Sequence, residues 1–225
     1  MASMTDPESQ GTPKHPDIRR AVRSSVTRIL PGSILREMRL YRSFSRAERL
    51  LYLRIRLGNA LMMAKPRLAP ITARSFLFVC FGNIMRSPMC EALMNRAATR
   101  YAREAIRVTS AGLNATPGKE AHPWAVTAAR EFRISLENHR ARRLTLAMVD
   151  EADAIMAMDY QNQVQLISRF PQAVDKIFML SEYAGEDYHL GEIADPYYLG
   201  QEGTRKCYRT LDRCISNLVV RTFGD

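Results

Sequence analysis

Three observations predict an α/β sandwich of about four parallel strands. Short runs at 76–79, 106–110, 154–158 and 176–180, apolar in whole or in part, have the length of buried parallel strands. Stretches at 88–100, 123–132, 160–170 and 203–220 between or after them have the length and apolar spacing of crossover helices. Turn and cap residues punctuate the alternation, and no internal repeat is present. Helices on both faces of the sheet make a three-layer sandwich, which binds ligands at the carboxyl ends of its strands.

In chain order, residues 1–16 mix Pro, Gly, Ser and Asp without apolar periodicity, as a disordered tail does. Apolar residues then interleave with arginines over 18–30 and, after Pro31-Gly32, over 34–65, so two helices are expected there. Within the second, Leu51, Leu53, Ile55 and Leu57 alternate with polar or aromatic residues, which leaves a short strand open. Pro66 and Pro70 stop the pattern and mark the boundary between a basic extension, 1–70, and an α/β domain, 71–225.

Charge follows the same boundary. The chain carries a net +10, of which +9 falls in 1–70 and +1 in 71–225, so the high pI says nothing about the ligand of the α/β domain. A basic, partly apolar extension fits an anionic membrane surface or an acidic partner through residues 18–65, or a helical addition that packs on the domain; no specific nucleic acid is expected. No apolar run reaches the ~18 residues of a membrane span. The first thirty residues lack the order of a secretory signal, so a cytoplasmic location is expected, peripheral to the membrane if the extension docks there. Cys80, Cys90, Cys207 and Cys214 form no CxxC pair and are too few for a disulfide framework, so free thiols are expected, with Cys207 and Cys214 in the core of the last helix.

The chemistry concentrates in FLFVCFGNIMRSPMCEALMNRAA, residues 76–98. Cys80 ends a strand, Phe81, Gly82, Asn83, Ile84, Met85 and Arg86 form a loop, and Ser87 and Pro88 suit the cap and first turn of a helix. Backbone N–H groups wrapped over a helix N-terminus make a concave site for a tetrahedral oxyanion, and Arg86 adds a fork of donors. In such a field Cys80 is expected to be a thiolate nucleophile. Ser87 can donate to its sulfur, Asn83 can fix the loop, and Gly82 allows the angles of a tight turn. An isolated Cys at a strand end is ordinarily a small buried hydrophobe; the loop, the Arg-Ser pair and the following Pro argue otherwise. The chain has neither GxxxxGK[ST] nor HExxH, and no metal or organic cofactor is expected.

The run VCFGNIMRSPMCEA closely resembles the signature of low-molecular-weight protein tyrosine phosphatases. SAGLNATPGKEAHPWA (110–125), HRARRLT (139–145), ADAIMAMD (152–159) and IADPYY (193–198) follow in that family's order, so the resemblance spans about 74–222. It implies phosphotyrosine hydrolysis through a cysteinyl-phosphate, with Cys80 as nucleophile, Arg86 as clamp and Asp195, in the Asp-Pro pair, as general acid and then base. A phosphotyrosine protein is the implied substrate and a tyrosine autokinase the implied counterpart, since Leu113 and Asn114 stand where eukaryotic members carry a large aromatic. Ile84, Leu113, Tyr197 and Tyr198 are the expected walls of the substrate slot, and Ile84 replaces the smaller Thr of arginine-phosphate phosphatases. Met85 stands where the family often has a second, protective Cys. Arsenate reduction and arginine-phosphate hydrolysis are the alternatives on the same fold. His122 and His139 are read as turn or packing residues.

Overall fold

The computed structural model describes residue 41 and residues 44–61, 66–101, 105–185 and 191–224. The expected tail, the first expected helix and the second up to residue 40 lie outside the described residues. Contacts group Arg46–Asp225 into one compact unit. In it the sheet consists of β1 (Ser75–Cys80), β2 (Arg107–Gly112), β3 (Ala154–Ala157) and β4 (Ile177–Met179). All pairs are parallel and the order is β2-β1-β3-β4, with Cys80 opposite Gly112 and Val79 opposite Ala157. Each strand sits at one of the four apolar runs, shorter or longer by a residue or two.

The helices are α1 (Arg46–Ala60), α2 (Arg86–Tyr101), α3 (Pro123–Glu131), α4 (Leu146–Glu151), α5 (Tyr160–Arg169) and α6 (Gly200–Phe223). Side-chain alternation divides the core between the two sheet faces. Phe76, Phe78 and Cys80 join the cluster formed with Met89, Leu93, Tyr208 and Leu211 of α2 and α6, whereas the equally buried Leu77 and Val79 stand outside it. α5 covers the opposite face at β3 and β4. The helix α4 was not expected: it is six residues long, too short for an apolar period, and its start is marked by Thr145, whose hydroxyl accepts from Met148 N.

The Leu51–Leu57 alternation resolves as helix, not strand. Tyr52 is buried on α1, which packs on α5; Arg56 Nη1 donates to Tyr52 Oη at 3.1 Å and stacks on the Tyr160 ring at 5.8 Å. Downstream of α1, Arg67 covers the Phe178 ring at 5.6 Å and Ala69 N donates to Tyr183 Oη at 2.8 Å.

The order β2-β1-β3 sets a switch point at the carboxyl end of β1, where the chain leaves on one side to β2 and returns on the other to β3. The loop after β1 and the residues just past β3 therefore meet there.

Candidate active site

The loop 81–85 joins β1 to α2, and its backbone carbonyls are tied to its surroundings. Cys80 O and Phe81 O accept from Leu113 N and Asn114 N at 3.0 and 2.9 Å. Asn83 O accepts from His139 Nε2 at 2.7 Å, Ile84 O from His122 N at 2.9 Å, and Met85 O from Tyr208 Oη at 3.0 Å. In a planar trans peptide the N–H of the next residue points opposite to the carbonyl. Fixing these carbonyls outward thus turns the amides of Phe81, Gly82, Ile84, Met85 and Arg86 toward the concave side, the arrangement that binds a tetrahedral oxyanion. Because Asn83 O can only accept, His139 donates from Nε2. Burial lowers the His139 pKa, against the opposing effect of that same bond, so the neutral Nε2–H tautomer fits this contact.

Asn83 is the pivot of the loop. It adopts φ 52°, the left-handed region, while Gly82 does not; an added Cβ at Gly82 would only touch Ile84 at 3.5 Å. The expectation that Gly82 provides the special angles is thus replaced: Asn tolerates this region, and its side chain locks it. Asn83 Nδ2 donates to Ser87 Oγ at 2.9 Å and Ser110 Oγ at 2.8 Å, and Oδ1 accepts from Arg142 N at 2.8 Å. Ser110 Oγ donates in turn to Glu91, which also holds Arg142 through two contacts of 2.8 Å. The glycine the loop does require is Gly112, where a Cβ would lie 2.8 Å from both Asn83 N and Phe81 O.

Cys80 Sγ lies 3.0 Å from Ser87 Oγ and 3.3 Å from Asn83 N. Since Asn83 N–H can only donate, and the Ser87 hydroxyl can, the sulfur sits among donors, as an anionic nucleophile requires. Ser87 is not the helix cap: α2 begins at Arg86, and Ser87 lies in its first turn with its hydroxyl turned to the sulfur.

Arg86 is 1% exposed and its fork is held from two sides. Nη1 donates to Asp159 Oδ2 at 2.6 Å and Ile193 O at 2.9 Å, and Nη2 donates to Asp195 Oδ2 at 2.8 Å. Burial alone would lower the guanidinium pKa, but Asp159 and Asp195 outweigh it and raise it further. Asp159 caps α5 through Asn162 N at 2.7 Å, so the strand–helix turn after β3 orients the carboxylate that orients the arginine. Asp195 caps the short 3-10 helix Pro196–Tyr198 through Tyr197 N, with its side chain about one-third exposed at the mouth of the loop.

Sequence reasoning placed Cys80, Asn83, Arg86, Ser87 and Asp195, and the structure brings them together. It gave no role to Asp159, His122, His139, Tyr208 or the Glu91–Arg142 pair. Asp159 had a usable signal, an acid at the carboxyl end of a parallel strand; the others had none, because only packing brings them to the loop. The slot residues divide. Ile84 and Leu113 are 8% and 3% exposed, mostly core. Tyr197 and Tyr198 are exposed and stack edge to face at 4.9 Å, and the row continues through His122, 5.4 Å from Tyr197, to Trp124 at 4.8 Å. Phe81 is also exposed. An aromatic ledge thus borders the anion site.

The remaining cysteines are buried and free. Burial pushes the Cys207 and Cys214 thiols up to about 12 and the Cys90 thiol well above its usual range. No helix among the described residues is long and apolar enough to cross a membrane.

The profile described as low molecular weight phosphotyrosine protein phosphatase matches residues 75–223. A protein-arginine-phosphatase of Bacillus subtilis is 40% identical over 121 residues, covering 54% of this chain and 78% of its own. The low molecular weight protein-tyrosine-phosphatase Wzb of Escherichia coli K12 is 35% identical over 139 residues, covering 62% and 88%. Among solved structures, Wzb from E. coli K30 in complex with sulphate superimposes with TM-score 0.59 at 26% identity over 66% of this chain and 97% of its own. A YwlE mutant from B. subtilis does so with TM-score 0.59 at 34% identity over 64% and 95%.

Proposed function

The chain belongs to the low molecular weight phosphotyrosine protein phosphatase family, and from that premise we propose that it hydrolyses phosphotyrosine in proteins by two in-line displacements at Cys80. The observation that carries this reading is the convergence of Cys80 Sγ, the inward-facing loop amides and the Arg86–Asp195 contact of 2.8 Å on one opening. A phosphate monoester entering the loop takes the amides and the Arg86 fork with its nonbridging oxygens. It competes with Asp195 for Nη2 and leaves that carboxyl facing the leaving oxygen.

Cys80 Sγ attacks phosphorus as the bond to the phenolic oxygen breaks, and Asp195 gives that oxygen its proton. The phenol, whose ordinary pKa is about 10, thus departs neutral. Asp195, now a carboxylate, takes a proton from the water that attacks the cysteinyl phosphate. Phosphate leaves and the Cys80 thiolate returns. Asn83 and Ser87 hold the sulfur, and Asp159 holds Arg86. The aromatic ledge from Trp124 to Tyr198 supports a flat aryl leaving group.

A second reading, hydrolysis of phosphoarginine, is favoured by the Bacillus relative; the aromatic ledge weighs toward phosphotyrosine. Arsenate reduction fits less well, because a thiol relay needs accessible thiolates, and Cys207 and Cys214 are buried with raised pKa values. The proposal extends to setting: a catalytic unit in the reducing cytoplasm, supplied with substrate by a tyrosine kinase and held at an anionic surface by residues 18–65.

The test is phosphate release from phosphotyrosine, phosphoserine and phosphoarginine peptides by wild type, Cys80→Ser and Asp195→Ala. Release from phosphotyrosine that disappears with Cys80→Ser is expected. Preference for phosphoarginine would install the second reading, and no release from any of the three would overturn both.

A further inference from the structure

The outward face of α1 takes no part in the site just described. The helix buries Tyr52 and half-buries Leu51 and Ile55, while Leu50, Leu53, Leu57 and Leu61 are 72%, 51%, 61% and 57% exposed. Leu61 N donates to Leu57 O at 3.0 Å, which carries the helical register through the fourth leucine. At 3.6 residues per turn the four leucines lie within about 80° of one another, with Arg46 among them, Arg49 and Arg56 along one border and Arg54 along the other. The one acidic residue of the helix, Glu48, lies on the opposite, inward side. A solvent-facing helix surface of a soluble domain ordinarily carries polar residues where these leucines stand.

We propose that this face of α1 docks on an anionic lipid bilayer. Leucines along a convex helix surface enter the boundary between headgroups and acyl chains, and Arg46 and Arg54, with apolar stems and long reach, meet lipid phosphates. The charge complementarity is continuous along the helix, because acidic residues are absent from the exposed face. A protein partner would need a groove shaped to four leucines and acids placed on both sides of it; a bilayer with anionic headgroups satisfies both demands at any rotation about its normal. Since α1 is seated on α5 through Tyr52 and the Arg56–Tyr160 stack, and α5 begins beside Asp159, docking would hold the anion site at a set height above the membrane. This inference rests on the anionic-surface setting proposed above for residues 18–65, which it narrows to one helix face, and not on the phosphatase chemistry.

The experiment is flotation of the full chain with phosphatidylcholine vesicles, with and without phosphatidylglycerol, for wild type, Leu53→Glu/Leu57→Glu and Arg46→Gln/Arg54→Gln. Binding only to vesicles containing phosphatidylglycerol is expected, weakened about tenfold or more by either double variant and screened by salt. Hydrolysis of a small soluble aryl phosphate should stay the same in both variants, which shows that they fold. Three results would overturn the proposal. One is no binding to either vesicle. Another is anionic binding indifferent to Leu53→Glu/Leu57→Glu, which assigns attachment to other residues. The last is self-association abolished by that variant without vesicle binding, which makes a second copy the occupant.

Discussion

The loop that holds the anion and the ledge that borders it are neighbours built on opposite terms. From Asn83 to Ser87 the segment is buried, its carbonyls are bonded outward, and it is tied to β1, β2, α5 and α6. The ledge is aromatic, joined by edge contacts, and open to water, up to 77% exposure at Tyr198. The difference teaches a division of labour. On the proposed reading, the buried and bonded loop governs how fast a phosphate ester reacts, and the exposed ledge governs which ester arrives.

The strongest way to break this comparison is to remove chemistry from the loop. Cys80→Ser should lower kcat by about 10⁴-fold or more, and Arg86→Lys by about 10³-fold, for every substrate alike. Asp195→Ala should cost about 100-fold on phosphotyrosine, with a smaller loss on an aryl phosphate whose leaving group is already acidic. A loss independent of the leaving group would deny Asp195 its role as proton donor.

Next come residues that act through the loop backbone. His139→Phe and Tyr208→Phe each leave a loop carbonyl without its donor, so kcat should drop about tenfold with KM little changed, as assayed by steady-state kinetics on one peptide. Gly112→Ala should cost about 2 kcal/mol of stability in urea unfolding, since its Cβ meets backbone that cannot yield. At the ledge, Trp124→Ala and Tyr197→Ala should raise KM a few-fold for aryl phosphates, leaving kcat and an alkyl phosphate unaffected. Equal losses in kcat at loop and ledge would erase the division.

The smallest effect is that of pH on His139. Burial lowers its pKa in the folded protein from 6.5, so the stabilising neutral form is fully present above about pH 6.5. Below that the unfolded chain takes up a proton that the folded chain resists, and stability declines until the folded pKa is passed. Thermal melts from pH 7.5 down to about 5 should show a shallower decline for His139→Asn than for wild type.

Much of this was legible in the sequence for a local reason. Strand, loop, nucleophile, arginine and helix start lie within 76–98, so spacing alone implied the anion site, whereas Asp195 was assigned through the family resemblance of its Asp-Pro pair. Residues that arrive by tertiary packing were not legible. Asp159 comes from the far side of the switch point, His139 from a segment without regular structure, and Tyr208 from mid-helix, where it reads as core. The start of α2, and with it the reading of Ser87 as the cap, was misjudged because Pro88 is as compatible with the third helical position as with the first; the contact of Ser87 with the Cys80 sulfur was legible. Leu113 and Ile84 were assigned to the slot from position alone, and burial removes most of each from it.

The central claim, that Cys80 carries the phosphoryl group between two displacements, is tested most directly by quenching wild type in acid during turnover of a phosphotyrosine peptide and mapping the phosphoryl group by mass spectrometry. It should reside on Cys80, with a burst of tyrosine peptide equal to the enzyme present. Turnover with no phosphoryl group on Cys80 and no burst, undiminished by Cys80→Ser, would contradict the account.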